Sequence, residues 1–513
     1  MTRHLTLALT LLLTLPVWAG DITVGQGGNI HEALKQAREW RRTGDPRCKG
    51  GIHIIVEGGR YYMNEPLFIR PEDSGTSSSP TIISGAASGA PTVICGDMPQ
   101  RHTQLFPAEG MERIAGFDPE RRTITIPTPP AEVLQTPRLE MVVHQRWAIA
   151  ILRVRDMRVE GPLTEVTFME PESRLEFEHP WPQPVIGGEK GNSSFLLRTT
   201  EQYDGIEQLV VIQGSEEHPV NYVKLENLTF EHTCWNRPQH KGHVTLQGGF
   251  PLVDAYKLKE NEGLPWDKGL ENQAWIERPV AAVNVSHATH VDVDRCVFKN
   301  LGSTALDFAD AISDCSVAHS LFEHIGGTAI MGGSFAESPR EVHRPYDQLA
   351  SRCRRLRIAD NNILDASCED WGAVAIGLGY VSDCTVSGNS ISRVNYSGIC
   401  VGWGWTALPT GMENNHITGN KVSDYARQLY DAGGIYTLSN QPRSSIRDNE
   451  IGKPYPAPYA TNDRGFRIYL DAHTDGFTIE NNTTKDDNQP ESRLIRRDEI
   501  GDNQPGPSII FRQ

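Results

Sequence analysis

Short apolar runs recur along the C-terminal half of the chain, and three positions after the first apolar residue of each stands an Asn. Ile358-Ala359-Asp360-Asn361, Val386-Ser387-Gly388-Asn389, Ile417-Thr418-Gly419-Asn420, Ile446-Arg447-Asp448-Asn449 and Ile479-Glu480-Asn481-Asn482 obey the rule, with Asn steps of 28, 31, 29 and 33 residues. Upstream, Val293 with Cys296 and Val317 with Ser320 keep the spacing while replacing Asn, and Leu225 with Leu228 begins it. A second pattern follows each unit, small residues before an aliphatic one: Ser303-Thr304-Ala305-Leu306, Gly327-Thr328-Ala329-Ile330, Trp371-Gly372-Ala373-Val374, Ser397-Gly398-Ile399 and Gly433-Gly434-Ile435. No unit holds a helical period, and Gly, Asn and Asp punctuate the runs. This predicts an all-β fold, a parallel β-helix in which each coil stacks on the last. Equivalent Asn side chains would then lie about 4.8 Å apart and form an amide ladder.

The rest of the chain fits around that solenoid. Residues 20–100 read as an N-terminal cap and first coils. Asn29 caps an amphipathic helix whose Ile30, Leu34 and Ala37 share one face, and strand-like runs follow at Ile52–Val56, Leu67–Ile69, Thr81–Ile83 and Val93–Cys95. Over residues 101–205 the register disappears, and alternating strands such as Glu140–Ile151 and Leu152–Val159 predict an inserted antiparallel β subdomain. The main helix then spans 206–490, interrupted by an insertion at about 236–280, with 491–513 as a tail.

Composition narrows the function. The chain of 513 residues carries a formal charge of -16, which argues against nucleic-acid binding, since phosphate neutralisation needs a basic face. With 38% hydrophobic and 22% charged residues it is globular rather than disordered. Arg3 and His4 precede an apolar run from Leu5 to Pro16, and Val17-Trp18-Ala19 follows, the pattern of a signal peptide over residues 1–19 and of a periplasmic or secreted protein. That run is short of the roughly 18 residues that span a bilayer, so no membrane anchoring is expected, and no Cys follows it. A monomer is the expected state. Nine cysteines form no CxxC pair; a Cys48–Cys95 bridge is conceivable, and the others read as small buried side chains.

Along a β-helix most outward carboxylates are simply solvated, and only company makes one chemically interesting. Asp431-Ala432-Gly433-Gly434-Ile435-Tyr436 and Arg467-Ile468-Tyr469-Leu470-Asp471-Ala472-His473 belong to adjacent coils. Asp431 and Asp471 can therefore face one groove, as acid/base hydrolysis of a glycosidic bond requires. Asp370 stands at the same place in its motif as Asp431 and is the reserve catalytic candidate. Trp403 and Trp405, set among glycines in the neighbouring coil, offer flat faces for a sugar. Tyr436, Arg467 and His473 on the paired coils, the outward Asp307, and His232 and His243 of a His-rich stretch complete the expected substrate-binding set. Those histidines match no standard zinc spacing, and Asp486-Asp487-Asn488 lacks an EF-hand pattern, so neither a metal nor a cofactor is expected.

The sequence resembles the exported right-handed β-helix proteins of glycoside hydrolase family 141. The phrases that carry the resemblance are Glu65-Pro66-Leu67, Arg70-Pro71-Glu72-Asp73-Ser74-Gly75-Thr76, His232-Thr233-Cys234-Trp235 with Gly242-His243-Val244, Ile325-Gly326-Gly327-Thr328, Val401-Gly402-Trp403-Gly404-Trp405 and Asp431-Ala432-Gly433-Gly434-Ile435-Tyr436-Thr437-Leu438. The resemblance implies hydrolysis of plant cell-wall polysaccharide, a pectin side chain such as an α-L-fucoside or xylan, with Asp431 and Asp471 as the catalytic pair. The stretch Phe195 to Val210 is shorter than the corresponding segment of many relatives, so their substrate preference does not carry over. Two other readings stand beside it: a polysaccharide lyase on the same fold with Arg464 or Arg467 as base, and a non-catalytic glycan-binding β-helix.

Overall fold

The structure, a computed structural model, describes residues 20–512 apart from 97–102, 108–109, 180–181, 201–203, 255–258, 261–269, 272–275, 338–339, 342–351, 407–408, 485–499 and 503–508. Residues 1–19, read from the sequence as a signal peptide, and Asp486-Asp487-Asn488 lie outside the described residues.

Three sheets, built almost wholly from parallel pairs, wind along one axis. The first runs from Asp21–Val24 through Ala288–Asp294 and Thr385–Ser387 to Ile510–Arg512. The second runs from Gly59–Tyr62 through Leu228–Thr233 to Glu450–Ile451, and the third from Leu67–Ile69 through Ile399–Val401 and Ala432–Thr437 to Ile500–Asp502. Most coils contribute one strand to each sheet, so an inward aliphatic residue meets its equivalent one coil away. Ile358, Val386, Ile417, Ile446 and Ile479 stack in this way in the first sheet. In the second, Phe230, Phe298 and Phe322 stack with ring centroids 5.0 and 4.6 Å apart.

The expected ladder is present. Asn361 Nδ2 donates to Asn389 Oδ1 at 3.0 Å, Asn389 to Asn420 at 2.9 Å, Asn420 to Asn449 at 3.0 Å and Asn449 to Asn482 at 2.9 Å. Upstream the chain substitutes smaller groups on the same track. Ser320 N donates to Asn361 Oδ1 at 3.0 Å, and Cys296 N to Ser320 Oγ at 3.0 Å.

The helix Ile30–Thr43 closes the N-terminal end. Asn29 Oδ1 accepts from His31 N, Ile30, Ala33, Leu34, Ala37 and Trp40 are buried, and Gly44 ends the helix at a φ of 65°, a left-handed turn that favours glycine. Arg38 holds this cap to the first coils through both oxygens of buried Asp73, at 2.7 and 2.8 Å. None of the nine cysteines forms a disulfide, so Cys48 and Cys95 are not bridged. Cys95 lies instead beside His232 Nδ1, at 3.6 Å. Burial pushes the thiols of Cys296, Cys315 and Cys384 up to about 12, which makes them inert side chains of the core.

The inserted subdomain is antiparallel, but its strands divide elsewhere than the alternation indicated. Leu139–His144 pairs with Ile149–Glu160, and the turn falls at Gln145–Ala148, inside the run read from the sequence as one strand. Both faces of Ile149, Ala150, Ile151 and Leu152 are buried, which erases the period that would have marked the boundary. The second insertion is joined to the first, because His243–Val244 adds an antiparallel strand to Ala150–Ile151. No helix among the described residues is long and apolar enough to cross a membrane.

Candidate active site

Where the two insertions meet the third sheet, the adjacent strands Ala432–Thr437 and Gly465–Leu470 run parallel, with Tyr436 opposite Tyr469 and Thr437 opposite Leu470. Asp431 immediately precedes the first strand at a φ of 60°, and Asp471 immediately follows the second. A Cβ at Gly433 would sit 3.0 Å from Tyr469 Cβ, so the absence of a side chain lets the tyrosine stand over the strand. The tyrosine rings meet edge to face, 5.2 Å apart at 89°.

Each tyrosine serves one carboxylate. Tyr469 OH donates to Asp431 Oδ1 at 2.9 Å and accepts from Arg464 Nη2 at 2.9 Å, while Arg464 Nε lies 3.4 Å from the same carboxylate oxygen. Tyr436 OH donates to Asp471 Oδ2 and accepts from Gln247 Nε2 at 3.0 Å. Tyr396, one coil earlier, donates its hydroxyl to the Asp431 carbonyl at 3.0 Å. The pair is thus held by hydrogen bonds from three successive coils and from the second insertion, leaving little rotamer freedom.

Burial raises the Asp431 carboxyl above the usual carboxylate range, and the charge of Asp471 pushes it the same way; Arg464, Tyr469 and Arg146 oppose the rise without cancelling it. Burial, aided by the two carboxylates, also holds Tyr436 and Tyr469 well above ordinary phenols, so both remain neutral donors. Such a site can keep a proton on one carboxyl beside a second that accepts a hydrogen bond.

The other residues singled out in the sequence divide around this pair. Trp405 packs beside Tyr436, Leu438 and Tyr469, at the edge of the site. Trp403 does not offer a sugar platform: it is 3% exposed and wedged against Phe250, Phe335 and Trp405 at 5.5, 5.1 and 4.7 Å, because the second insertion folds over its coil. Asp307 faces out of its strand yet is fully buried, clamped through both oxygens by Arg278 at 2.6 Å, again from that insertion. Arg467 turns towards the second sheet and donates Nε to Ile451 O at 3.2 Å. His473 is half-buried two positions beyond Asp471.

Asp370 and His243 find each other rather than Asp431. His243 Nε2 lies 3.0 Å from Asp370 Oδ2, and both line a separate cavity of about 230 Å³ with Trp235, Arg237 and Arg278. His232 belongs to the second sheet, with Cys95 and Glu231. That trio and His324 with Asp365 and Cys368 are the described groups whose spacing would suit a metal, and neither includes Asp431 or Asp471. Gln247, Tyr396 and Arg146 escaped the sequence reading. Gln247 and Arg146 lie on insertions outside the repeat, and Tyr396 carries no distinguishing motif.

The comparisons with known proteins bear on this geometry. The family model described as "GH141 insertion domain" matches residues 94–205, and "Right handed beta helix region" matches 349–495. A solved structure titled "Glycoside hydrolase" is 32% identical, with 96% of each chain covered and a TM-score of 0.88. The chain belongs to the GH141-type glycoside hydrolases. This glycoside hydrolase is therefore a glycosidase of right-handed parallel β-helix fold, and its substrate is a carbohydrate. More distant similarities include XylC with xylose, 9% identical with 91% and 70% of the two chains covered and a TM-score of 0.43. An alginate lyase from Paenibacillus sp. str. FPU-7 is 12% identical, with 96% and 97% covered and a TM-score of 0.37. No curated protein matches the chain.

Proposed function

We propose that Asp431 and Asp471 are the catalytic pair of a hydrolase acting on plant cell-wall polysaccharide, a pectin side chain such as an α-L-fucoside or xylan. The observation that carries this reading is the crossed arrangement on adjacent coils, Tyr469 on Asp431 and Tyr436 on Asp471. Asp431, buried and raised, protonates the leaving glycosidic oxygen, and Asp471, held by Tyr436, acts on the opposite side of the sugar. Trp405 and His473 border the sugar. Residues 1–19 direct export, and the enzyme works as a monomer.

A lyase reading fits less well. Although burial pulls it down, the neighbouring Asp431 and Tyr469 hold the Arg464 guanidinium above its ordinary value, which disqualifies it as a base, and Arg467 faces another sheet. The test is mass spectrometry of products from pectin, xylan and fucosylated glycans. Addition of one water per cleavage supports hydrolysis, and cleavage without water revives the lyase. Asp431→Asn and Asp471→Asn should each lower turnover by about a thousandfold or more while leaving the melting temperature at or above that of the parent, as expected for paired groups that act as a unit. Near-normal rates in either variant would sink the assignment, and Asp370→Asn should stay active.

A further inference from the structure

The inserted subdomain reaches the catalytic coil through Arg113 and Lys190 and, directly before Asp431, through one hairpin tip. The tip Gln145–Ala148 is a tight turn, closed by Gln145 N donating to Ala148 O at 3.0 Å. Four contacts fix it. His144 Nε2 donates to Gln428 O at 2.7 Å, and Tyr430 N donates to Arg146 O at 3.2 Å, directly before Asp431. Gln145 Nε2 donates to buried Glu176 at 2.6 Å, and Trp147 Nε1 to Leu246 O of the second insertion at 3.0 Å. The Arg146 backbone is thus pinned, whereas its side chain is exposed and, among the described residues, has no carboxylate within ion-pair distance. The arginines nearest in role are occupied: Arg464 by Asp431 and Tyr469, Arg113 by carbonyls including Tyr459 O.

We propose that Arg146 is a substrate-contacting residue contributed by the inserted subdomain, whose guanidinium grips paired oxygens of the sugar bound beside Asp431. The matching chemistry is a pair of neighbouring acceptor oxygens, found in a uronate carboxylate, where they are coplanar, and in a vicinal diol. This inference rests on the reading of Asp431 as catalytic. It also accounts for an otherwise counterproductive charge. Asp431 is faced by Arg464, Tyr469 and Asp471 from the next coil, by Tyr430 from its own coil and Tyr396 from the preceding one, and by Arg146 from the insertion; a bare Arg146 works against the proton an acid must hold. Sugar oxygens on the guanidinium, above all a carboxylate, would screen that charge and favour the proton in the bound complex.

The test is titration calorimetry of wild type and Arg146→Ala with three probes: oligogalacturonides, the same oligosaccharides after carboxyl reduction, and xylo-oligosaccharides. The expected result is at least tenfold weaker binding of one probe to Arg146→Ala. Loss confined to the oligogalacturonides identifies a carboxylate, and an equal loss on the reduced form identifies a diol. Arg146→Lys should recover the carboxylate case in part and the diol case poorly. On a turned-over glycan, Arg146→Ala should raise KM more than it lowers kcat and move the basic limb of kcat/KM to higher pH. Equal affinities of wild type and Arg146→Ala for every probe, or no binding of any probe by wild type, overturn the proposal. The calorimetry needs no turnover, so an active Asp431→Asn enzyme would remove the catalytic reading without deciding the fate of Arg146.

Discussion

Asn420→Ala is the perturbation that asks most of the amide ladder. Asn420 is fully buried; its Oδ1 accepts from Asn389 N at 3.0 Å and Asn389 Nδ2 at 2.9 Å, and its Nδ2 donates to Val386 O at 2.9 Å, Asn449 Oδ1 at 3.0 Å and, at 3.3 Å, Thr418 O. Alanine deletes all five bonds. Two partners keep another bond, since Asn389 Nδ2 still reaches Ile358 O at 3.0 Å and Asn449 Oδ1 still accepts from the backbone of residue 420 at 2.9 Å. The Asn389 N–H loses the side-chain acceptor it has. A buried donor left unsatisfied costs about 1–3 kcal/mol, and each lost bond about 1 kcal/mol, with overlap between the two. The expected loss is therefore about 3–5 kcal/mol. Urea denaturation followed by tryptophan fluorescence measures it, and hydrogen exchange at the Asn389 amide reports it locally. Because a coil interacts chiefly with its neighbours, lost protection should centre on the coils of Asn389 and Asn449. Asn420→Ser should restore part of the loss, as Ser320 occupies the same track upstream. A loss below about 1 kcal/mol with the Asn389 amide still protected would refute the reasoning.

Three further outcomes follow from the same structure. Asp307→Ala strips the Arg278 guanidinium of its two-oxygen partner and should cost about 3 kcal/mol by denaturation, the lower end for a broken buried pair because the arginine side chain remains 26% exposed. The Asp431 carboxyl is raised in the fold, so the stability it lends is present below the ordinary carboxylate pKa and is lost as pH rises through the raised value; Asp431→Asn should match the parent's melting temperature in acid and exceed it at neutral pH. Activity that needs the proton should fall over the same rise. Burial holds His144 down at about 4, so its contribution is intact above the ordinary histidine pKa and lost as pH falls towards 4; His144→Gln, keeping a donor for Gln428 O, should show a flatter acid limb in melting temperature.

The fold was legible because a solenoid writes the same environment many times. Asn361, Asn389, Asn420, Asn449 and Asn482 occupy one buried track, and five occurrences distinguish a rule from chance. The pairing of Tyr436 with Tyr469 was legible for the same reason, since strands in register place equivalent residues opposite each other. What the repeat could not reveal came from outside it. Trp403 and Asp307 occupy outward positions that a bare β-helix would expose, and both are buried because residues Phe250 and Arg278 of the second insertion lie over them. Asp370 shares its motif position with Asp431, but His243 arrives from that insertion and takes it up. Arg146 stands at a turn hidden within an apolar run. These are contacts between segments of unrelated pattern, and no local periodicity encodes them.

A stack of coils can in principle grow or shrink by duplication, since one more repeat finds the same neighbours as the last. Here the inserted hairpin acts as a ruler laid along the stack. Ala148 Cα stands 3.3 Å from where a Cβ at Gly372 would project, and the Arg146 carbonyl is bonded to Tyr430 N further along the axis. Each coil adds about 4.8 Å, so a repeat gained or lost between these points would slide one anchor a full step from a rigid turn that cannot follow. The number of coils between Gly372 and Tyr430 is thereby frozen, and lengthening of this lineage is confined to the stretches beyond the ruler's ends.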